Sequence, residues 1–152
     1  MGVELEKILI ASDHAGFDLK EQLVKYFKND YKFVDLGTDS LDSTDYPDFA
    51  HRLSKKISKN DFFGVLICGS GIGMSIVANR YKKVRAALCL NEEMARLSRE
   101  HNNANVLVLG SRLISLEEAI KCLCIFFSTD FEGGRHQARL EKFNNVESKL
   151  EE

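Results

Sequence analysis

Residues 63–80 read FGVLICGSGIGMSIVANR. The first six form a continuous apolar run with β-branched Val65 and Ile67, as expected of a strand buried on both faces. Gly69, Gly71 and Gly73 then fall within five consecutive positions, where the backbone must turn sharply or let a ligand come close. A helix is expected from about residue 72 to 81, making the stretch one strand–loop–helix unit.

The same unit recurs on either side. Upstream, KILIAS (7–12) reads as a strand, and GFDLKEQLVKYFKN follows with Leu19, Leu23, Val24 and Phe27 on one helical face. KFVDLG (32–37) is the next strand, and TDYPDFAHRLSKKI the next helix, with Pro47 near its start and Phe49, Leu53 and Ile57 facing inward. Downstream, VRAALCL (84–90) is a strand, and Asn91 caps EEMARLSREHN, whose first turn carries Glu92 and Glu93. NVLVLG (105–110) is the fifth strand, and SLEEAIKCLCIFF opens with Ser115 and Glu118 as a capping box. A last polar helix is expected over 136–150, too polar for a core and suited to a surface, including that of another subunit. Five strands alternating with helices imply an α/β fold: a five-stranded parallel sheet between two helical layers, plus an extra C-terminal helix.

The 152 residues fit one domain spanning 1–152. With 21 basic and 23 acidic side chains the net charge is −2, so nothing marks a partner as nucleic acid or an anionic membrane. No apolar stretch approaches the roughly 20 residues of a membrane span. The start, MGVELEK, suits neither a signal peptide nor myristoylation, where Glu6 stands in the place of Ser or Thr. A cytoplasmic location is expected. Cys68, Cys89, Cys122 and Cys124 lack zinc or C-x-x-C spacing, so free thiols are expected, with Cys89, Cys122 and Cys124 as small buried hydrophobes.

In such a sheet, ligands bind beyond the carboxyl ends of the strands. Asp13 and His14 follow the first strand, Cys68 and the glycines the third, and Gly110-Ser111-Arg112 the fifth. The glycine loop is not the dinucleotide fingerprint, because position 74 is Met, and no G-K-[ST] completes a Walker loop. What remains is a nest of N–H groups at a helix start, able to hold an anion that is bound or develops during a reaction. Cys68 precedes the nest, where a thiolate is favoured and could take a proton beside a carbonyl; taken alone, packing is the stronger reading of this thiol. His101 and Asn102 close a helix, as a cap or as a proton donor beside an amide. Arg135 and Arg139 share a helical face after Gly133-Gly134, as a solvated basic surface or a phosphate clamp.

SDHAGFDLK, TDYPDFA, CGSGIGMSIVANR, LSREHNNANVLVLGSR and EGGRHQARLEKF together resemble, in order and spacing, the type B ribose-5-phosphate isomerases, the family that also holds the subunits of galactose-6-phosphate isomerase. The resemblance runs from about residue 7 to 148. It implies a Rossmann-like fold, a homodimer or tetramer with each site built from two subunits, and metal-free interconversion of D-ribose 5-phosphate and D-ribulose 5-phosphate without a cofactor. Cys68 matches the general base of the cysteine-using branch; the other branch uses a Glu at position 73, which is Gly here. His101 matches the acid that opens the furanose ring. Asn102 and the loop Gly69, Ser70, Gly71, Ile72, Gly73 match the groups around the enediolate, with Ser70 where Thr is frequent. Asp13 and His14 match sugar and phosphate contacts, and Arg112, Arg135 and Arg139 the phosphate clamp. A hexose 6-phosphate such as allose or galactose phosphate is the alternative substrate, and a non-catalytic phosphosugar-binding module the alternative class.

Overall fold

The computed structural model describes residues 6–152; the reading made on Met1–Leu5 falls outside them. The strands are β1 (Glu6–Ser12), β2 (Tyr31–Asp35), β3 (Phe63–Cys68), β4 (Ala86–Leu88) and β5 (Val106–Gly110), all parallel in the order β2-β1-β3-β5-β4. Between them run α1 (Phe17–Tyr26), α2 (Tyr46–Lys59), α3 (Ile72–Ala78) and α4 (Glu92–Glu100), and after β5 come α5 (Leu116–Ser128), α6 (Arg135–Leu140) and α7 (Val146–Leu150).

Period-2 alternation sorts the core into two layers. Ile8, Ile10, Val65, Ile67, Leu107 and Leu109 point to the face covered by α1, α4 and α5, where Leu19, Leu23, Ala95, Leu123 and Phe126 meet them. Leu9, Ala11, Leu66, Cys68, Val106 and Val108 point to the other face, against Phe49, Leu53 and Ile57 of α2 and Met74 and Ala78 of α3. The chain leaves β1 toward β2 on one side, and the later strands lie on the other. That reversal between β1 and β3 is where a doubly wound sheet opens a crevice at its carboxyl edge.

Several local expectations change. The expected helix over 136–150 is two short helices, because the chain turns at 141–145 and the Asn144 amide donates to Lys82 O at 3.0 Å. The helix expected to reach 81 stops at Ala78, since the Asn79 side chain turns back to bond both Ala86 N and Ala86 O. Arg85 N donates to the Asn105 side chain instead of a strand neighbour, which helps shorten β4 to Ala86–Leu88. Ser115 does cap Glu118 N, but the Glu118 carboxylate accepts from Glu92 N, so half of the capping box serves the start of α4. Cys124 is exposed, unlike Cys89 and Cys122. Lys20, on the inner side of α1, is fully buried with its ammonium held by both oxygens of Asp35 and by Thr38 O.

Candidate active site

A cleft of about 440 Å³ opens at the carboxyl edge, lined by the loops after β1, β3 and β5. Strand alternation turns Cys68 toward α3 and leaves the residue 4% exposed. Gly71, at φ +78, folds the chain back over the sulfur and donates its N–H to Cys68 Sγ at 3.2 Å. A side chain at Gly71 would be strained by that φ and would also strike Leu88, so the turn requires glycine. The Ile72 N–H goes to the Ser70 hydroxyl, while the N–H groups of Gly69, Ser70 and Gly73 have no acceptor among the described residues. The expected nest is therefore partly taken up by its own loop, which leaves those three N–H groups free.

Around the thiol the chain is tied across long separations. Asp13 sits 5% exposed, its carboxylate accepting from Gly16 N at 3.0 Å. His14 N donates to the Thr44 hydroxyl, and Thr44 N donates to His14 Nδ1, each at 3.1 Å. With Nδ1 accepting, the neutral ring carries its proton on Nε2. Ser111 ties the β5 loop to the β1 loop by donating its hydroxyl to Ala15 O at 2.8 Å. The Arg112 guanidinium lies over Gly69, with Nη1 2.8 Å from where a Cβ on Gly69 would stand, and has no ion pair among the described residues.

The cleft thus gathers Asp13, His14, Cys68, Gly69, Ser70, Ile72, Gly73 and Arg112, with Gly71 beneath. Sequence reasoning passed over Tyr46, whose ring covers Gly73: a Cβ there would lie 2.3 Å from Tyr46 Cζ. The signal was present in TDYPDFA, but nothing local says which loop that tyrosine meets.

His101, Asn102, Arg135 and Arg139 do not join this cleft. Helix α4 runs back to the amino edge of the sheet, where Arg99 lies over the Phe63 ring and Asn105 O accepts from Gly64 N. Gly64 and Cys68 are four strand steps apart, about 13 Å at roughly 3.3 Å each, so the two groups sit at opposite edges of one chain. His101 stacks on the buried His136, ring centroids 4.4 Å apart and planes 17° from parallel. Asn102 lines a second cavity, of about 470 Å³, with Asn79, Arg85 and Phe143. Arg135 and Arg139 are exposed on α6 and make no ion pair among the described residues.

Fold and cleft define an α/β protein with a thiol-centred cleft at the switch point of a parallel sheet. The family described as Ribose/Galactose Isomerase matches residues 8–143. Among its relatives, a probable ribose-5-phosphate isomerase B of Mycoplasma genitalium is 45% identical over 95% of this chain and 97% of that protein. Ribose-5-phosphate isomerase B of Escherichia coli is 38% identical over 95% and 99%. The crystal structure of a Thermotoga maritima ribose 5-phosphate isomerase superposes with a TM-score of 0.90 at 52% identity, covering 93% of this chain and 99% of that one. The Mycoplasma genitalium enzyme crystallised with bound ribulose-5-phosphate superposes with a TM-score of 0.89 at 44% identity, covering 94% and 97%. The chain belongs to the ribose/galactose isomerase family.

Proposed function

We propose that the protein is a metal-free aldose–ketose isomerase interconverting D-ribose 5-phosphate and D-ribulose 5-phosphate, a step of the non-oxidative pentose phosphate pathway in the cytoplasm. The observation that carries this reading is the Cys68 thiol, held by the Gly71 N–H in a cleft it shares with Asp13, His14 and Arg112. His101 donates a proton to the ring oxygen while the anomeric hydroxyl gives up its own to solvent, so the bond between C1 and the ring oxygen breaks and the open aldose forms. The Cys68 thiolate removes the proton from C2 of the open aldose, and the N–H groups of Ser70 and Gly73, with Asn102, hold the enediolate oxygens. Cys68 returns its proton to C1 while the O2 proton passes to O1, giving the ketose. Asp13 orients sugar hydroxyls. His14 Nε2–H, Arg112, Arg135 and Arg139 hold the phosphate, a remote handle whose binding energy positions the reacting carbons.

This mechanism needs both edges of the sheet at one substrate. A second copy of the chain supplies His101, Asn102, Arg135 and Arg139, so the working unit is a homodimer or a tetramer, with the C-terminal helices packing on the partner. Ile72 and Ile76, exposed on α3 beside the cleft, and the sparse burial of α6 and α7 support that arrangement.

A coupled assay comparing the phosphates of ribose, allose and galactose tests the assignment. Ribose 5-phosphate should show the highest kcat/KM. A higher value for a hexose phosphate would move the substrate within the family, and turnover of none would defeat the isomerase reading.

A further inference from the structure

His101 stands outside the thiol cleft, in a cluster that sequence spacing does not reveal. His101 caps α4, Glu132 lies between α5 and α6, and His136 is in the first turn of α6; one ligand atom from each lies within 4.8 Å of the others. His136 Nε2 is 3.5 Å from Glu132 Oε2. The segment is anchored, since Glu132 N donates to Glu100 O at 3.1 Å and His136 N to Gly133 O at 3.0 Å. His136 is buried, His101 is half-buried and Glu132 is exposed, so the cluster is open to water on one side.

Two imidazoles and one carboxylate are the donors that borderline transition metals take, whereas magnesium and calcium prefer all-oxygen sites. Zinc–ligand bonds of about 2.0–2.1 Å would bring the donors closer together than they stand here. Stacked, near-parallel rings aim their lone pairs along nearly parallel lines, so the rings must also tilt until both point at one ion, and His101, the more exposed of the two, is the one free to turn. Arg135 next to His136 opposes a cation, while the neighbouring Glu100 is already paired with Arg96. The ring nitrogens must be unprotonated to bind, so affinity falls toward acid pH.

We infer that His101, Glu132 and His136 form an inhibitory site for a borderline transition-metal cation, zinc(II) foremost, which draws His101 away from ring opening. The inhibition rests on the role given to His101 above; the binding does not.

The test begins with calorimetry of zinc(II) on a Cys68→Ser/Cys124→Ser chain, which removes the cleft thiol and the exposed thiol as competing ligands. One zinc per protomer should bind, magnesium should give no binding, and adding Glu132→Gln or His136→Gln should weaken zinc by roughly tenfold or more. Glu132 is exposed, so its substitution leaves folding intact should His136→Gln fail to fold. Affinity unchanged in Glu132→Gln, or no zinc binding in the double-cysteine variant, would overturn the site. The second arm measures turnover of the enzyme with its cysteines in place. Zinc should inhibit the parent, EDTA should restore the full rate, and Glu132→Gln should keep basal activity while resisting zinc. Equal inhibition of parent and Glu132→Gln would overturn the inhibitory role. A parent without isomerase activity would instead refute the function assigned above, with the calorimetry still deciding the site.

Discussion

Replacing Cys68 by serine isolates the chemistry of the thiol from its structural place. Cys68 is 4% exposed, and its sulfur accepts the Gly71 N–H at 3.2 Å. Serine keeps an acceptor for that N–H, whereas alanine leaves it without one, at a cost of about 1–3 kcal/mol. Melting should therefore show Cys68→Ala clearly destabilised and Cys68→Ser close to the parent. Activity should not follow stability. A serine hydroxyl does not ionise near neutral pH, and a positioned general base contributes about 10²–10⁴ in rate. That range corresponds to about 2.7–5.5 kcal/mol of lost transition-state stabilisation. Both variants should lose kcat by this much with KM little changed, because the proposed phosphate contacts are untouched. Exchange of solvent deuterium into C2 of the recovered aldose should disappear with turnover. A Cys68→Ser enzyme within roughly tenfold of the parent kcat, still exchanging deuterium, would refute the reasoning and move the base to another group in the cleft.

His101→Asn should impair turnover of the cyclic sugar phosphate more than that of a substrate held in its open-chain form; equal damage to both would give His101 another role. Arg139→Ala, and likewise Arg135→Ala, should raise KM for ribose 5-phosphate by roughly tenfold or more through loss of a charge-assisted contact of about 1.5–3 kcal/mol. Neither should change the slow reaction of unphosphorylated ribose, and equal losses on the two sugars would make α6 a basic surface only. Burial pushes the Cys89 thiol from 9.0 up to about 11 and the Cys122 thiol up to about 12. In the folded chain both thiols hold protons that the unfolded chain releases above pH 9, so their contribution is intact below that pH and is lost as pH rises toward 11–12. Denaturant titrations across that window should show falling stability, with a shallower fall in Cys122→Ala; an identical slope would remove the thiol from the alkaline limb.

The continuous apolar run at 63–68 was enough to bury β3 on both faces, and similar runs in β1 and β5 built the rest of the core. Once those strands run parallel, the residues just after them share one rim. This is why Asp13, His14, Cys68 and Arg112 could be brought together from sequence alone. The turn at Gly71 and the caps at Asn91 and Ser115 were equally legible, because each is a contact within a few residues. Tertiary structure decided what meets across the sheet or between loops. It set Tyr46 against Gly73, turned the Glu118 carboxylate to Glu92 N, buried Lys20 with Asp35, and ended the last helix where Asn144 reaches Lys82. It also stacked His101 on His136 beside Glu132 and kept all three away from Cys68. Hydrophobic period records which face of an element is inward, a property of neighbours one turn or one pleat away. Which helix end closes on which loop depends on packing among residues tens of positions apart, and only the folded chain resolves it.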